Sequence, residues 1–169
     1  MKAIDLIPLS ELKVVYFDVD GVLSIPRYPL GKDNKIVSFT ENARWDPFVT
    51  NNINAYADCH VPIDIKEWMA KLAMAGIPMC VLSASIENEI PSKMKFLEDN
   101  YPNYFAEIKL VPHAAMKKEY MIEQQKKFGY DPFEMALVED NHYTLFEIAE
   151  AGFRGIHVSW FLDSINAKS

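Results

Sequence analysis

The chain has 169 residues, half of them apolar, and a formal net charge of −7 at neutral pH. This length can bury one sizeable core but is short for two full domains, so we expect a single domain over residues 1–169. The negative charge argues against binding to a nucleic acid polymer or to an anionic membrane, because both require clustered basic side chains.

Short apolar, β-rich runs alternate with amphipathic helical patterns along most of the chain. The predicted elements are, in chain order, a strand at 13–17, a helix at 64–75, a strand at 78–82, a helix at 87–100, a strand at 107–111, a helix at 115–128, a strand at 135–138, a helix at 143–151 and a strand at 155–158. Asp64 and Glu67 have the spacing of a capping box at the start of the first helix. The alternation predicts a Rossmann-like, doubly wound α/β fold with a parallel sheet, in which sites form at the carboxyl ends of the strands.

The segment 24–62 interrupts this alternation. It contains several prolines, glycines and asparagines among aromatic residues and shows no clean period. A structureless loop of this length is uncommon inside a compact domain, so we expect the segment to form a small cap or flap. Because it directly follows the first strand, the cap is predicted to lie over the site.

Two carboxylates, Asp18 and Asp20, stand where the first predicted strand runs into a glycine turn. Asp18 and Asp20 are both candidate ligands of a shared Mg²⁺ ion, because this cation prefers oxygen ligands. One or two side-chain carboxylates, a backbone carbonyl and the substrate phosphate would complete its coordination. Asp18 could attack phosphorus and form an aspartyl-phosphate, while Asp20 could protonate the leaving oxygen and then activate water. On these residues alone, an Asp-rich loop that is merely solvated at a strand end is the alternative.

The run 17–23, Phe-Asp-Val-Asp-Gly-Val-Leu, resembles the first motif of the haloacid dehalogenase superfamily, and three further stretches resemble the other motifs in the same order. The second motif resembles the run 81–83, where an apolar strand ends in Ser83. In the family this hydroxyl hydrogen-bonds the transferring phosphoryl group. Taken by itself, Ser83 could equally cap a helix.

The third motif of the family places a lysine at the start of a helix, where its ammonium offsets the charge of the nucleophile and the phosphate. Lys117 fits this role by its distance to Gly129, and Lys118 is the next candidate. Solvated surface lysines are the alternative for both.

The run 136–140, Ala-Leu-Val-Glu-Asp, resembles the Glu-Asp variant of the fourth motif. The resemblance implies that Asp140 is a metal ligand and Glu139 an accessory one. Two adjacent acids after an apolar strand raise each other's pKa, and a cation relieves that repulsion. The next residues include His142, which we interpret as a neighbour of a helix cap.

The resemblance extends from residue 13 to residue 158 and implies the sheet order 5-4-1-2-3, a cap between the first and second motifs, and Mg²⁺ as cofactor. Dehalogenases of the superfamily lack the second aspartate, so Asp20 favours phosphoryl transfer. The resemblance therefore predicts a Mg²⁺-dependent phosphatase, a phosphoric monoester hydrolase. We expect it to act on a small phosphorylated metabolite, such as a nucleotide or sugar phosphate, through an aspartyl-phosphate.

Two other functions are compatible with the same residues. A phosphomutase or other phosphotransferase would pass the phosphoryl group to a second hydroxyl instead of water, and a non-catalytic phosphate-binding module would keep the fold without turnover. Several side chains of the insert could contact the substrate or form a small core of their own, namely Arg27, Tyr28, Arg44, Trp45 and His60. Ser24 stands where the family more often has Thr or Asp.

The cysteines and the apolar runs bear on location. Cys59 and Cys80 have neither the spacing of a zinc site nor the number for a disulfide framework. Charged residues break the N-terminal apolar runs, and no stretch approaches the roughly 20 apolar residues of a spanning helix. We therefore expect a cytoplasmic protein, while the sequence gives no prediction of oligomeric state.

Overall fold

Five parallel strands form one sheet in the computed structural model, which describes residues 2–25, 55–57 and 59–162. The strands are β1 (Val14–Phe17), β2 (Met79–Ala84), β3 (Glu107–Val111), β4 (Met135–Glu139) and β5 (Arg154–His157). Their order across the sheet is β3-β2-β1-β4-β5, so the predicted order is confirmed. β1 pairs with β2 on one side and with β4 on the other, which places its carboxyl end at the middle of one edge of the sheet.

Four α-helices lie between these strands in the described part of the chain. They are α1 (Ile63–Met74), α2 (Ile90–Asn100), α3 (Met116–Phe128) and α4 (His142–Glu150). Their boundaries differ from the predicted ones by at most three residues, and the largest shift arises because a 3-10 turn at Glu87–Glu89 precedes α2. α3 ends at Gly129, whose φ of +69° gives the left-handed cap that glycine adopts readily. None of α1 to α4 combines the length and apolar character that crossing a bilayer requires.

Both faces of the sheet are covered, and β1 shows how the sequence brings this about. Val15 and Phe17 belong to the core on the side of α1, where the rings of Phe17 and Trp68 lie 6.1 Å apart. Tyr16 belongs to the core on the other side, where its ring lies 6.2 Å from that of Tyr120 on α3. Because successive strand residues point to opposite faces, a strand covered on both sides is apolar throughout. The doubly wound α/β class is therefore confirmed.

The predicted capping box at the start of α1 is wrong. α1 begins after Pro62, whose side chain makes no capping hydrogen bond, and Asp64 is already the second residue of the helix. The Asp64 carboxylate pairs instead with the ammonium of Lys2. The spacing of Asp64 and Glu67 located the helix, but it could not reveal a competing lysine far away in sequence.

The insert is described only at its two ends. Ile25 and His60 exchange backbone hydrogen bonds of 3.0 and 2.9 Å, and Tyr56 is buried. The two ends of the insert therefore lie side by side, at Ile25 and His60. Residues 26–54 and 58 lie outside the described part, and with them the predicted cap and the candidate contact residues Arg27, Tyr28, Arg44 and Trp45.

Candidate active site

The carboxyl end of β1 carries the first pair of predicted site residues. Asp18 directly follows the strand, and its N–H donates a 3.0 Å hydrogen bond to the carbonyl oxygen of Val138 on β4. The chain then turns through Gly21, which has a φ of +74°. This left-handed conformation suits a residue without a side chain. The turn gives the carboxylates of Asp18 and Asp20 different neighbours.

Three carboxylates gather at this edge of the sheet: Asp18, Glu139 and Asp140. One oxygen from each lies within 4.8 Å of the other two. Asp18 and Glu139 are buried, while Asp140 is exposed. A Cβ placed on Gly21 would lie 2.2 Å from Asp140 Oδ2, so the glycine also makes room for this carboxylate. We call these three residues the acidic cluster.

Lys117 enters the acidic cluster from α3. Its Nζ lies 2.6 Å from Glu139 Oε2 and 3.1 Å from Asp18 Oδ1. The side chain is almost wholly buried, whereas that of Lys118 is only half-buried. Of the two candidate lysines, Lys117 is therefore the one that the structure brings to Asp18.

Glu139 is held on both of its oxygens. Oε1 accepts 3.1 Å hydrogen bonds from the N–H groups of Asp140 and Asn141, while Oε2 accepts the bond from Lys117. These contacts fix the loop that carries Asp140 and orient the Lys117 ammonium. Glu139 therefore positions Lys117 and the Asp140 loop, in addition to its predicted accessory contact with a metal.

The electrostatics of the acidic cluster favour a bound cation. Burial raises the pKa of Asp18 above its usual range, and the nearby Lys117 acts in the opposite direction. Burial likewise raises the pKa of Glu139. The pKa of Asp140 is raised as well, because its carboxyl is partly desolvated although the residue as a whole is exposed. When all three are ionised, one ammonium cannot balance them, and a cation would offset the excess negative charge.

The donor atoms also suit a hard divalent metal ion. Asp18 Oδ1 is buried and, apart from its ion pair with Lys117, receives no hydrogen bond within the described part of the chain. Asp18, Glu139 and Asp140 all offer oxygen, which is the ligand atom that Mg²⁺ prefers. The residues present therefore fit a magnesium ion.

The carboxylate of Asp20 lies apart from the acidic cluster. Its Oδ1 accepts a 2.6 Å hydrogen bond from the Tyr56 hydroxyl, and its Oδ2 accepts a 2.8 Å bond from Lys93 Nζ. Nearly half of the side chain remains exposed, at 47%. Asp20 is thus not one of the three residues whose carboxylate oxygens form the acidic cluster, and its place among the metal ligands stays a prediction.

Comparisons with known proteins bear on this arrangement. The sequence matches no protein-family model and no curated protein. Solved structures do match: a cobalt-bound deoxy-D-mannose-octulosonate 8-phosphate phosphatase, YrbI, from Haemophilus influenzae is 17% identical, with a TM-score of 0.52 over 88% of this chain and 70% of that one. A second match is BT-2542 from Bacteroides thetaiotaomicron, described as a HAD family enzyme and solved in complex with magnesium and inorganic phosphate. It is 16% identical, with a TM-score of 0.53 over 86% of this chain and 93% of that one.

A third similar structure is a haloacid dehalogenase-like hydrolase, SP0104, from Streptococcus pneumoniae. It is 12% identical and has a TM-score of 0.55 over 90% of each chain. This chain has the haloacid dehalogenase-like fold. The resemblance that the motifs suggested is thereby confirmed at the level of architecture.

Within the haloacid dehalogenase-like fold, Ser83 lies on β2, the strand beside β1. The residue is fully buried, and its hydroxyl lowers the pKa of Asp18, against the larger effect of burial. Lys93 Nζ is 3.4 Å from the same hydroxyl. Ser83 therefore acts on the carboxyl of Asp18 and also lies beside Lys93, which is a partner of Asp20. Asp18 and Asp20 are the two carboxylates of the first motif.

Three residues near Asp20 were missed by the sequence analysis: Lys93, Glu89 and Tyr56. Lys93 is fully buried on α2, and its Nζ lies 2.6 Å from Glu89 Oε1. The spacing of four residues between Glu89 and Lys93 was a usable signal for a helical pair. It did not indicate burial, and nothing in the insert marked Tyr56.

His157 is a further residue near the acidic cluster that the sequence did not single out. Its Nδ1 accepts a hydrogen bond from the backbone N–H of Ser159. Its Nε2 lies 3.1 Å from the carbonyl oxygen of Asp140, to which it can donate its proton. The imidazole thus supports the backbone of the Asp140 loop from β5. His142 begins α4 beside the N-cap Asn141, as expected for a neighbour of a cap.

Proposed function

We propose that the chain is a Mg²⁺-dependent phosphatase that hydrolyses a small phosphorylated metabolite through an aspartyl-phosphate at Asp18. One observation carries the proposal: the Asp18 carboxylate, Lys117 and the acid pair Glu139–Asp140 meet at the carboxyl edge of the central strands. In a doubly wound sheet this edge is where ligands bind. The fold shared with metal- and phosphate-bound enzymes supports the same function.

The first step forms the aspartyl-phosphate. An oxygen of Asp18 attacks phosphorus, the bond from phosphorus to the leaving oxygen breaks, and Asp20 in its acid form gives its proton to that oxygen. Lys117 lies 3.1 Å from the attacking carboxylate and offsets charge on it and on the phosphoryl group. Ser83 is our candidate for a hydrogen bond to a phosphoryl oxygen.

The second step returns both aspartates to their starting forms. Asp20, now a carboxylate, takes a proton from a water molecule whose oxygen attacks phosphorus. The bond between phosphorus and Asp18 breaks, and inorganic phosphate leaves. The half-exposed side chain of Asp20 supports this division of work, because its carboxylate remains accessible for proton transfer.

The acidic cluster is the proposed magnesium site. Asp18 and Asp140 are the principal candidate ligands and Glu139 is the accessory residue. Asp20 remains a further candidate ligand, although its carboxylate is not part of the cluster. When bound, Mg²⁺ would neutralise part of the charge that gathers on the phosphoryl oxygens. We also propose that residues 24–62 form a small cap that contributes to substrate choice, and that the enzyme works in the cytoplasm.

A panel of phosphoesters tests the proposed function. Purified protein is assayed for phosphate release from nucleotides, sugar phosphates and other small phosphoesters, with Mg²⁺ or with a chelator, beside Asp18→Asn. We expect Mg²⁺-dependent release from a narrow group of substrates and a loss of at least about 10³-fold in the variant, because the nucleophile is removed. Undiminished release by Asp18→Asn would contradict the assignment of the nucleophile, and no release from any ester would contradict the phosphatase itself.

A further inference from the structure

Lys93 uses all of its hydrogen-bonding capacity inside the protein. Its side chain is fully buried, at 0% exposure. Its ammonium lies 2.8 Å from Asp20 Oδ2, 2.6 Å from Glu89 Oε1 and 2.8 Å from the carbonyl oxygen of Ala84. An ammonium has three N–H donors, so these three acceptors match its number of donors, while the Ser83 hydroxyl lies farther away at 3.4 Å. The ammonium therefore occupies a fixed position relative to Asp20.

Asp20 is held from two separate elements. Lys93 on α2 contacts Oδ2, and Tyr56, which belongs to the turn at 55–57, donates a 2.6 Å hydrogen bond to Oδ1. Each carboxylate oxygen therefore has one donor. The Asp20 side chain nevertheless remains 47% exposed, so these contacts do not bury it away from a substrate.

The charge of Lys93 does not require Asp20 as its sole counterion. Glu89 is 5% exposed and, one turn before Lys93 on the chain, already supplies a buried carboxylate at 2.6 Å. A buried charge carries a large desolvation cost unless it is paired, and Glu89 already provides that pairing for Lys93. The additional contact between Lys93 and the half-exposed Asp20 is therefore not needed to neutralise the lysine. The contact is explained if its role is to position the carboxylate of Asp20.

We propose that Lys93, together with Tyr56, is a positioning residue that holds the Asp20 carboxylate in place for proton transfer. The proposal rests on the phosphatase function proposed above, in which Asp20 protonates the leaving oxygen. Neither Lys93 nor Tyr56 exchanges a proton with the substrate. Their effect is on the direction in which Asp20 presents its oxygens.

The leaving group of the substrate provides a specific test. Benzyl phosphate releases a strongly basic alkoxide that needs a proton from Asp20 as it departs, whereas p-nitrophenyl phosphate releases a weakly basic phenolate that does not. Each substrate carries one ring, so the two are similar in bulk. The value of kcat/KM reports the steps up to departure of the leaving group, which excludes the later activation of water by Asp20.

Four variants are compared with wild type on both esters: Lys93→Met, Tyr56→Phe, Asp20→Asn and Lys95→Met. Lys95 lies on the same helix, pairs with Asp99 at the surface and serves as the control. We expect Lys93→Met to lower kcat/KM for benzyl phosphate by at least about tenfold more than for p-nitrophenyl phosphate, since general acid catalysis contributes about 10²–10⁴-fold. Asp20→Asn should show a larger selective loss, Tyr56→Phe a smaller one, and Lys95→Met none.

Each other outcome overturns a defined part of the proposal. Equal losses on both esters in Lys93→Met and Tyr56→Phe, alongside a selective loss in Asp20→Asn, would overturn the positioning role and leave the phosphatase intact. If Lys93→Met does not fold, Tyr56→Phe decides, and an unselective response there overturns the proposal. An unselective response of Asp20→Asn, or no hydrolysis by the wild type, would overturn both the proposed mechanism and the positioning role.

Discussion

At the scale of single residues, Lys117 connects two of the three carboxylates of the acidic cluster. Its ammonium is 2.6 Å from Glu139 and 3.1 Å from Asp18. Lys118 follows it on α3 but lies in a different direction, because adjacent helical residues do not share a face. The two lysines therefore form a matched pair for testing what the position of an ammonium contributes.

We expect Lys117→Met to lower kcat/KM for phosphate release by about 10²–10³-fold, because a fixed positive charge beside the nucleophile and phosphate is lost. Lys118→Met should remain close to wild type. Steady-state kinetics on the best substrate of the panel measures both, and thermal unfolding shows whether each variant is folded. A greater loss in Lys118→Met would show that the wrong lysine has been assigned.

Gly21 offers a second test at this scale, since Gly76 provides a control with a similar backbone. Both have positive φ, +74° and +72°, but a Cβ would meet Asp140 Oδ2 at 2.2 Å only at Gly21 and has nothing within 4 Å at Gly76. We expect Gly21→Ala and Gly76→Ala each to lose about 1–3 kcal/mol of unfolding free energy from the backbone conformation. Only Gly21→Ala should also reduce the rise in melting temperature that Mg²⁺ produces.

Denaturant unfolding and thermal unfolding with and without Mg²⁺ distinguish these effects. If the two variants respond equally to Mg²⁺, then Asp140 does not depend on the space beside Gly21, and its place in the metal site is contradicted.

At the scale of elements, the loop between β4 and α4 depends on a helix cap. The side chain of Asn141 accepts hydrogen bonds from the N–H groups of Tyr143 (2.9 Å) and Thr144 (3.3 Å). These groups would otherwise lack partners at the start of the helix. Because Asn141 directly follows Asp140, the cap also fixes the end of the loop that bears the candidate ligand.

We expect Asn141→Ala to lower the unfolding free energy by about 1 kcal/mol, the usual cost of losing such a cap. Asn141→Ser should recover most of this loss, since its hydroxyl can accept the same bonds. Chemical denaturation of both variants and wild type measures the difference. Equal stabilities of Asn141→Ala and wild type would contradict the importance of the cap.

Elements also show which features the sequence could predict. The strands were recognisable because a strand buried on both faces is apolar throughout, as in Val14–Phe17. The rule that parallel strands end at one edge placed Asp18, Glu139 and Asp140 on the same edge of the sheet. The strand order was implied by the family resemblance, since apolar patterning does not encode it.

The surroundings of Asp20 show why the rest could not be predicted. Its partners, Tyr56 and Lys93, come from two segments that are 36 and 73 residues away along the chain. No periodic pattern links such positions. The sequence therefore indicated that Asp20 belongs to the site, but it could not show which side chains hold its carboxylate.

At the scale of the whole molecule, the acidic cluster links stability to pH. The pKa values of Asp18, Glu139 and Asp140 are raised by burial. A raised pKa in the folded state means a contribution to stability that is present below the ordinary carboxyl range and lost as pH rises through the raised values. Mg²⁺ binds the ionised carboxylates, so it acts against this loss.

We therefore expect the rise in melting temperature caused by Mg²⁺ to grow from about pH 5 to about pH 7, as the carboxylates lose their protons. Thermal unfolding at several pH values, with and without Mg²⁺, measures it. Asp140→Asn is the control and should show a smaller rise at every pH. A rise that is larger in acid than at neutral pH would contradict metal binding by this cluster.

The most direct measurement of the central claim is chemical trapping of phosphorylated Asp18. The protein is incubated with p-nitrophenyl phosphate and Mg²⁺, quenched, and treated with borohydride, which reduces an aspartyl-phosphate to homoserine, and the peptides are then analysed by mass spectrometry. We expect homoserine at position 18, dependent on Mg²⁺ and absent in Asp18→Asn. Phosphate release without modification at Asp18, or with modification at another residue, would contradict the mechanism.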